Sequence, residues 1–265
     1  MNFVAAKRLM DASLDSVMGN LLLALKVTAL PFLTFAAICL VAFFPDIVAG
    51  TSGSRAAGAC DVLKTFLVVF SGIFLLYLTF VSWHRAVLLS KEERSHVPAL
   101  ETLRYCLKSI GASLLFLLVA LLVIMPVSAA TGRSINISVG DFVTVYHLGM
   151  AELVLTFLFT WGFWFWYLAV SPALVAVALG RKVGIFEALR ENVARRPTVR
   201  AVATIMTACM LVYSVIGAGV PAMPVAVYLF VQAVILWLVF VFSISLLTQY
   251  YALCVSDKEQ TTPAI

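Results

Sequence analysis

Thr65-Phe66-Leu67-Val68-Val69-Phe70-Ser71-Gly72-Ile73-Phe74-Leu75-Leu76-Tyr77-Leu78-Thr79-Phe80-Val81-Ser82-Trp83 is a run of 19 residues without a charge, bounded by Lys64 and His84. A bilayer core of about 30 Å needs roughly 20 apolar residues in a helix to cross it. Unpaired backbone polar groups are too costly in hydrocarbon, so a run of this kind coils into a helix when it enters lipid.

Working outward, five more stretches have the same character. They run from about Asn20 to Phe44, Tyr105 to Ala130, Met150 to Gly180, Val199 to Ala218 and Val225 to Val255, while the quoted run extends over about Asp61 to Leu89. The fourth and sixth exceed what an upright helix needs and must tilt, bend or extend past the hydrocarbon. Pro172 is the strongest bend signal, and Pro31 and Pro126 offer the same in the first and third. Gly219, Pro221 and Pro224 separate the fifth run from the sixth.

Composition agrees. Of 265 residues, 63% are hydrophobic and 12% charged, with mean hydropathy +1.07. Soluble domains average about 45–50% apolar and 25% charged, so the solvent for this surface is lipid. The expected fold is all-α: a polytopic membrane helix bundle of about six transmembrane helices. Residues 1–255 form one transmembrane domain and 256–265 a short cytoplasmic tail, leaving no separate soluble catalytic domain. The first apolar run is too long for a removable signal peptide and lacks its cleavage site.

Charge sets the orientation. Lys7, Arg8, Arg85, Lys91, Arg94, Arg104, Lys108, Arg181, Lys182, Arg190, Arg195, Arg196, Arg200 and Lys258 fall on one side, 14 of the 18 Lys and Arg residues. The opposite loops hold Arg55 and Arg133, and Lys26 and Lys64 sit within span ends. Basic residues collect on the cytoplasmic side, so both termini are expected there. The same rule accounts for the net charge of +5 and pI near 9.0 without a nucleic-acid partner.

An internal repeat accompanies the spans. Leu100-Glu101-Thr102-Leu103-Arg104-Tyr105-Cys106-Leu107 and Phe186-Glu187-Ala188-Leu189-Arg190-Glu191-Asn192-Val193 share apolar residues at relative positions 0, 3 and 7. Both also place Glu at 1 and Arg at 4. Leu14-Asp15-Ser16-Val17-Met18-Gly19-Asn20-Leu21 keeps the apolar spacing and the acid. Apolar positions so spaced share one helical face. The pattern predicts three cytoplasmic interfacial amphipathic helices, each followed by a two-helix hairpin: three hairpin repeats.

The hairpin end Trp83-His84-Arg85-Ala86-Val87-Leu88-Leu89, the Leu-Glu-x-Leu-Arg unit after Pro98, the Pro172-bearing fourth span and its basic connector together carry a resemblance. The chain resembles the uncharacterised six-helix bacterial inner-membrane proteins of the YciC-like group, which are similar to the membrane domain of some glycerophosphodiester phosphodiesterases. The resemblance implies fold and a bacterial inner-membrane location. It carries no catalytic residues, and phosphodiesterase activity is not inherited without that domain.

Ionisable groups near lipid are the functional candidates. Asp61, Lys64, His147, Glu152 and Gln232 cluster toward the outer side, where they either line a polar vestibule or mark the membrane boundary. On the inner side, His84, Arg85, Arg104, Arg181 and Arg190 are candidates for a pocket that binds lipid phosphate or another anion, a task suited to the planar guanidinium. The alternative for these five is generic headgroup contact. Eight aromatics within Phe157–Tyr167 either pack against neighbouring helices or form a groove for an acyl chain.

Sequence signatures of hydrolases, zinc proteases and phosphate-binding loops are absent. Cys39, Cys60, Cys106, Cys209 and Cys254 form no metal-ligand or disulfide pattern. Neither a metal nor a cofactor is therefore expected. The leading expectation is a non-enzymatic protein that binds or organises membrane lipids, or a membrane-protein partner. A transporter or channel for a small or amphiphilic solute is the alternative. A membrane-embedded enzyme built on Glu152 and His147 is the third.

Overall fold

The computed structural model describes residues 2–48, 59–90, 99–131, 150–218 and 225–261. The chain is all-α, with 94% of the described residues helical. In chain order the helices are α1 (Phe3–Gly19), α2 (Leu21–Val48), α3 (Ala59–Leu88), α4 (Ala99–Thr131), α5 (Met150–Ala178), α6 (Ile185–Glu191), α7 (Arg196–Ala218) and α8 (Val225–Thr261). A 3-10 turn, Asn192–Arg195, joins α6 to α7. Among the described residues, four helices are long and apolar enough to cross a membrane: 63–88, 99–122, 154–178 and 237–256. The bent pair α1–α2, whose axes meet at 75°, supplies a fifth if it counts as one span. These helices are compatible with a multi-pass membrane protein.

The bundle is organised around α5, which packs against α3, α4, α6, α7 and α8. Helix α8 also packs against α1 and α3, while α2 lies at the edge against α3. Burial is uneven along the bundle. From Leu168 to Ala178 every residue of α5 is buried, as are Val81 and Trp83 to Arg85 on α3, Ala201 to Ala203 on α7 and Ile244 to Thr248 on α8. Toward the other end, Leu63, Phe66, Phe70, Leu118 and Leu122 are exposed, which is the surface expected where acyl chains replace protein neighbours.

The tightly packed end follows from how α5 terminates. Proline at 172 cannot donate to the Leu168 carbonyl, and Ser171 Oγ donates to that carbonyl instead, at 2.8 Å. The helix therefore runs through Pro172 without a break. It then closes in a Schellman turn: Arg181 N–H donates to Ala176 O (2.8 Å) and Gly180 N–H to Val177 O (3.0 Å). Gly180 has φ +75°, a left-handed conformation that favours glycine over any residue bearing a Cβ. The remaining carbonyl, Ala178 O, accepts from Arg85 Nη1 at 3.5 Å, a cation at the negative end of the helix.

The expected interfacial helices are corrected in one case. Leu100–Leu107 is not detached; it forms the first turns of α4, which continues unbroken to Thr131. No breaker separates the two parts, and Thr102, Tyr105, Cys106 and Ser109 are buried along this end of the helix. Lys108 reaches across to donate to Val183 O, fixing α4 to the connector after α5. The segments before α7 and α2 do form separate helices, α6 and the end of α1. Leu100, Leu103 and Leu107, and Phe186 on α6, all point outward, so these apolar residues face the surroundings rather than the core.

Candidate functional site

Of the five basic-side candidates, two are interior. His84 is 0% exposed and lies between helices: Nδ1 is 2.8 Å from Thr248 Oγ1 on α8, and Nε2 is 3.4 Å from Tyr105 Oη on α4. Thr248 Oγ1 itself donates to Ile244 O (2.8 Å), so its oxygen receives from Nδ1 if that nitrogen carries the proton. Phe80 packs beside this group, tilted against His84 at 6.4 Å and edge-on to Phe240 at 5.3 Å. A ring held at both nitrogens and walled by aromatics is a helix-pinning element. Arg85 is buried beside it and caps α5.

The other three stand at the surface. Arg181 donates from Nη1 to Tyr251 Oη at 3.2 Å, tying the end of α5 to α8. Arg104 and Arg190 are exposed on α4 and α6. The structure thus brings Arg85 and Arg181 to the same end of α5, buries His84 and leaves Arg104 and Arg190 on the surface.

The outer candidates fall mostly beyond description. His147 lies outside the described residues, as do the side chains of Asp61, Glu152 and Gln232; Lys64 is exposed on α3.

The aromatic run of α5 packs. Trp161 stacks on Phe165 at 5.4 Å and Phe163 on Tyr167 at 5.6 Å, while Phe116 of α4 meets Phe159 and Phe163 at 5.3 and 5.9 Å. Both hydrogen-bonding indoles have partners on neighbouring helices: Trp161 Nε1 donates to Thr204 Oγ1 (3.0 Å), and Trp166 Nε1 to Ala112 O (2.9 Å).

An apolar groove of about 620 Å³ lies elsewhere, between α2, α3 and α8. Phe35, Ile73, Leu76 and Phe240 form its walls, and its volume falls within the range of about 300–1,000 Å³ typical of small-molecule sites. Its few polar atoms are turned inward. Thr28 Oγ1 donates to Ala24 O (2.8 Å) and accepts from Trp237 Nε1 (3.0 Å), and Thr79 Oγ1 donates to Leu75 O (3.0 Å). With those groups satisfied, the groove offers hydrocarbon a dry surface. Gly72 sets its width: a Cβ there would stand 2.6 Å from Phe35 Cε2, so the glycine lets that ring lie against α3.

Sequence reasoning missed this site. Thr28, Gly72 and Trp237 look like ordinary span residues, and only their convergence from three helices marks them. Compared with protein families, curated proteins and solved structures, the chain matches none.

Proposed function

We propose that the protein is a bacterial inner-membrane protein with six crossings that binds membrane lipid without catalysing a reaction, seating an acyl chain in the α2–α3–α8 groove. The observation that carries this reading is the groove itself. Its walls come from α2 and from two of the long apolar helices, 63–88 and 237–256, which supports an opening toward the hydrocarbon. In that setting an apolar concavity is filled by lipid chain, because water has no polar partners there.

Native mass spectrometry after extraction in mild detergent tests it. The wild-type chain is expected to retain phospholipid. Gly72→Leu, which drives a side chain against Phe35 and into the groove, should lower retention about tenfold by overpacking. Equal retention by both proteins, or none by the wild type, sinks the reading.

Six crossings with both termini in the cytoplasm are part of the same proposal, supported by the basic-residue asymmetry. The Trp83–Leu89 hairpin end, with its resemblance to YciC-like proteins, supports the inner-membrane assignment. A Lys182→Cys variant in a background without other cysteines should react with a membrane-impermeant maleimide in inverted vesicles only. Labelling in intact cells would reverse the orientation.

A further inference from the structure

A second cavity, of about 420 Å³, lies between α5, α6 and α7 and shares no residue with the groove. Phe165, Leu189 and Val199 give it apolar walls, and Arg196 and Arg200 supply two guanidinium groups. The arginines stand four residues apart on α7, so they project from one face of the helix. Both are exposed at the cavity, and no carboxylate lines it among the described residues. Asn192 closes the inner side: Nδ2 donates to Ala169 O (2.7 Å), and Oδ1 accepts from Tyr250 Oη (2.8 Å). Both polar atoms of that amide are held by the fold, so it shapes the inner wall while the two arginines supply the cationic groups. From Glu187 to Arg200 the chain carries Arg190, Arg195, Arg196 and Arg200 against Glu187 and Glu191, a local charge of +4 − 2 = +2.

Two guanidinium groups on one cavity with an apolar wall match one chemistry. A phosphate accepts bidentate hydrogen bonds from guanidinium, and a chain attached to it would lie along Phe165, Leu189 and Val199. We infer that this cavity binds a phosphate-bearing anion through Arg196 and Arg200. The source is either a phospholipid headgroup or free phosphate. The inference rests on the membrane reading above but not on the groove.

The test titrates purified protein in neutral detergent with phosphatidylglycerol, phosphatidylcholine and inorganic phosphate, counting bound species by native mass spectrometry. Neutral detergent removes the surface potential that would attract any basic residue to an anionic bilayer. R196Q/R200Q should weaken phosphatidylglycerol binding about 30-fold, while the equally exposed pair R104Q/R190Q keeps wild-type affinity. Thermal unfolding should be unchanged in both, since all four side chains are at the surface. Phosphatidylglycerol that inorganic phosphate does not displace assigns the site to the headgroup. Phosphate bound in its place, and lost in R196Q/R200Q, assigns it to the free anion. Equal loss in both double variants, or no loss in R196Q/R200Q, overturns the inference. Gly72→Leu should reduce groove retention of both lipids alike while leaving intact the extra phosphatidylglycerol that R196Q/R200Q loses. Failure of one arm therefore identifies which of the two readings is wrong.

Discussion

Asn192→Ala is expected to destabilise the folded protein by about 2–3 kcal/mol, because it strips a buried hydroxyl of its acceptor and a helix carbonyl of a donor. Asn192 is buried in the 3-10 turn between α6 and α7. Its carboxamide bonds Ala169 O on α5 and accepts from Tyr250 Oη on α8, and Cys254 Sγ stands 3.7 Å from the same oxygen. One side chain therefore joins the connector to two helices of the core. Ala169 lies one position beyond Leu168, the carbonyl that Pro172 leaves without its helical donor and that Ser171 rescues. Thermal or denaturant unfolding in detergent should show Tyr250→Phe costing less, about 1 kcal/mol, since it removes the hydroxyl together with its need for a partner. The double variant should cost little more than Asn192→Ala alone, as groups in one network do not add. Strict additivity of the two losses would show that they are not coupled. Asn192→Asp should not rescue, because a carboxylate at Nδ2 faces the Ala169 carbonyl with no proton to give.

Hydropathy reveals much of the bundle and little of its wiring. Helices lie over the apolar runs, four or five of them long and apolar enough to cross a membrane among the described residues, since apolar length is a local property: the run of about Asp61 to Leu89 is α3, Ala59–Leu88. Helix α1 was only partly visible. Its buried face is Ala6, Leu9, Ser13 and Val17, interleaved with Lys7, Arg8, Asp11 and Asp15, and Ser13 earns its buried place by accepting Ser245 Oγ at its backbone oxygen. The Leu100–Leu107 unit shows the limit of motif matching. Its pattern resembles that of α6, yet nothing in it stops the helix, and whether such a segment detaches depends on the residues that follow. Site residues are less visible still. His84 ends an apolar run and reads as an interfacial base, but its partner Thr248 lies 164 residues away and that pairing exists only in three dimensions. Asn192 sits in a basic connector where a polar residue draws no notice. In the sequence Arg196 and Arg200 mark only the charge asymmetry; the fold turns them toward a common cavity with Phe165.

Trp83→Ala should be the most damaging single substitution, costing about 3–5 kcal/mol. Trp83 is 1% exposed and belongs to the continuous core that links α3 to α5, α7 and α8. In a bilayer, an unfolded helix keeps its side chains among apolar groups, so little of this cost is transfer from water; it comes from packing lost around an unfilled void. The indole also brings a liability, because Nε1 is buried with no hydrogen-bond partner among the described residues. An unpaired buried N–H costs about 1–3 kcal/mol. Trp83→Phe removes that donor while keeping a ring, so its lost volume and its relieved penalty oppose each other, and the net change should be within about 1 kcal/mol. In melting experiments the alanine variant should fall by roughly 10 °C and the phenylalanine variant by a few degrees at most. If phenylalanine were as harmful as alanine, the indole N–H would have to be meeting an acceptor, such as a trapped water or a lipid oxygen. Trp83→Phe therefore separates the two contributions: filled volume, which stabilises this end of the bundle, and the polar edge of the ring, which does not.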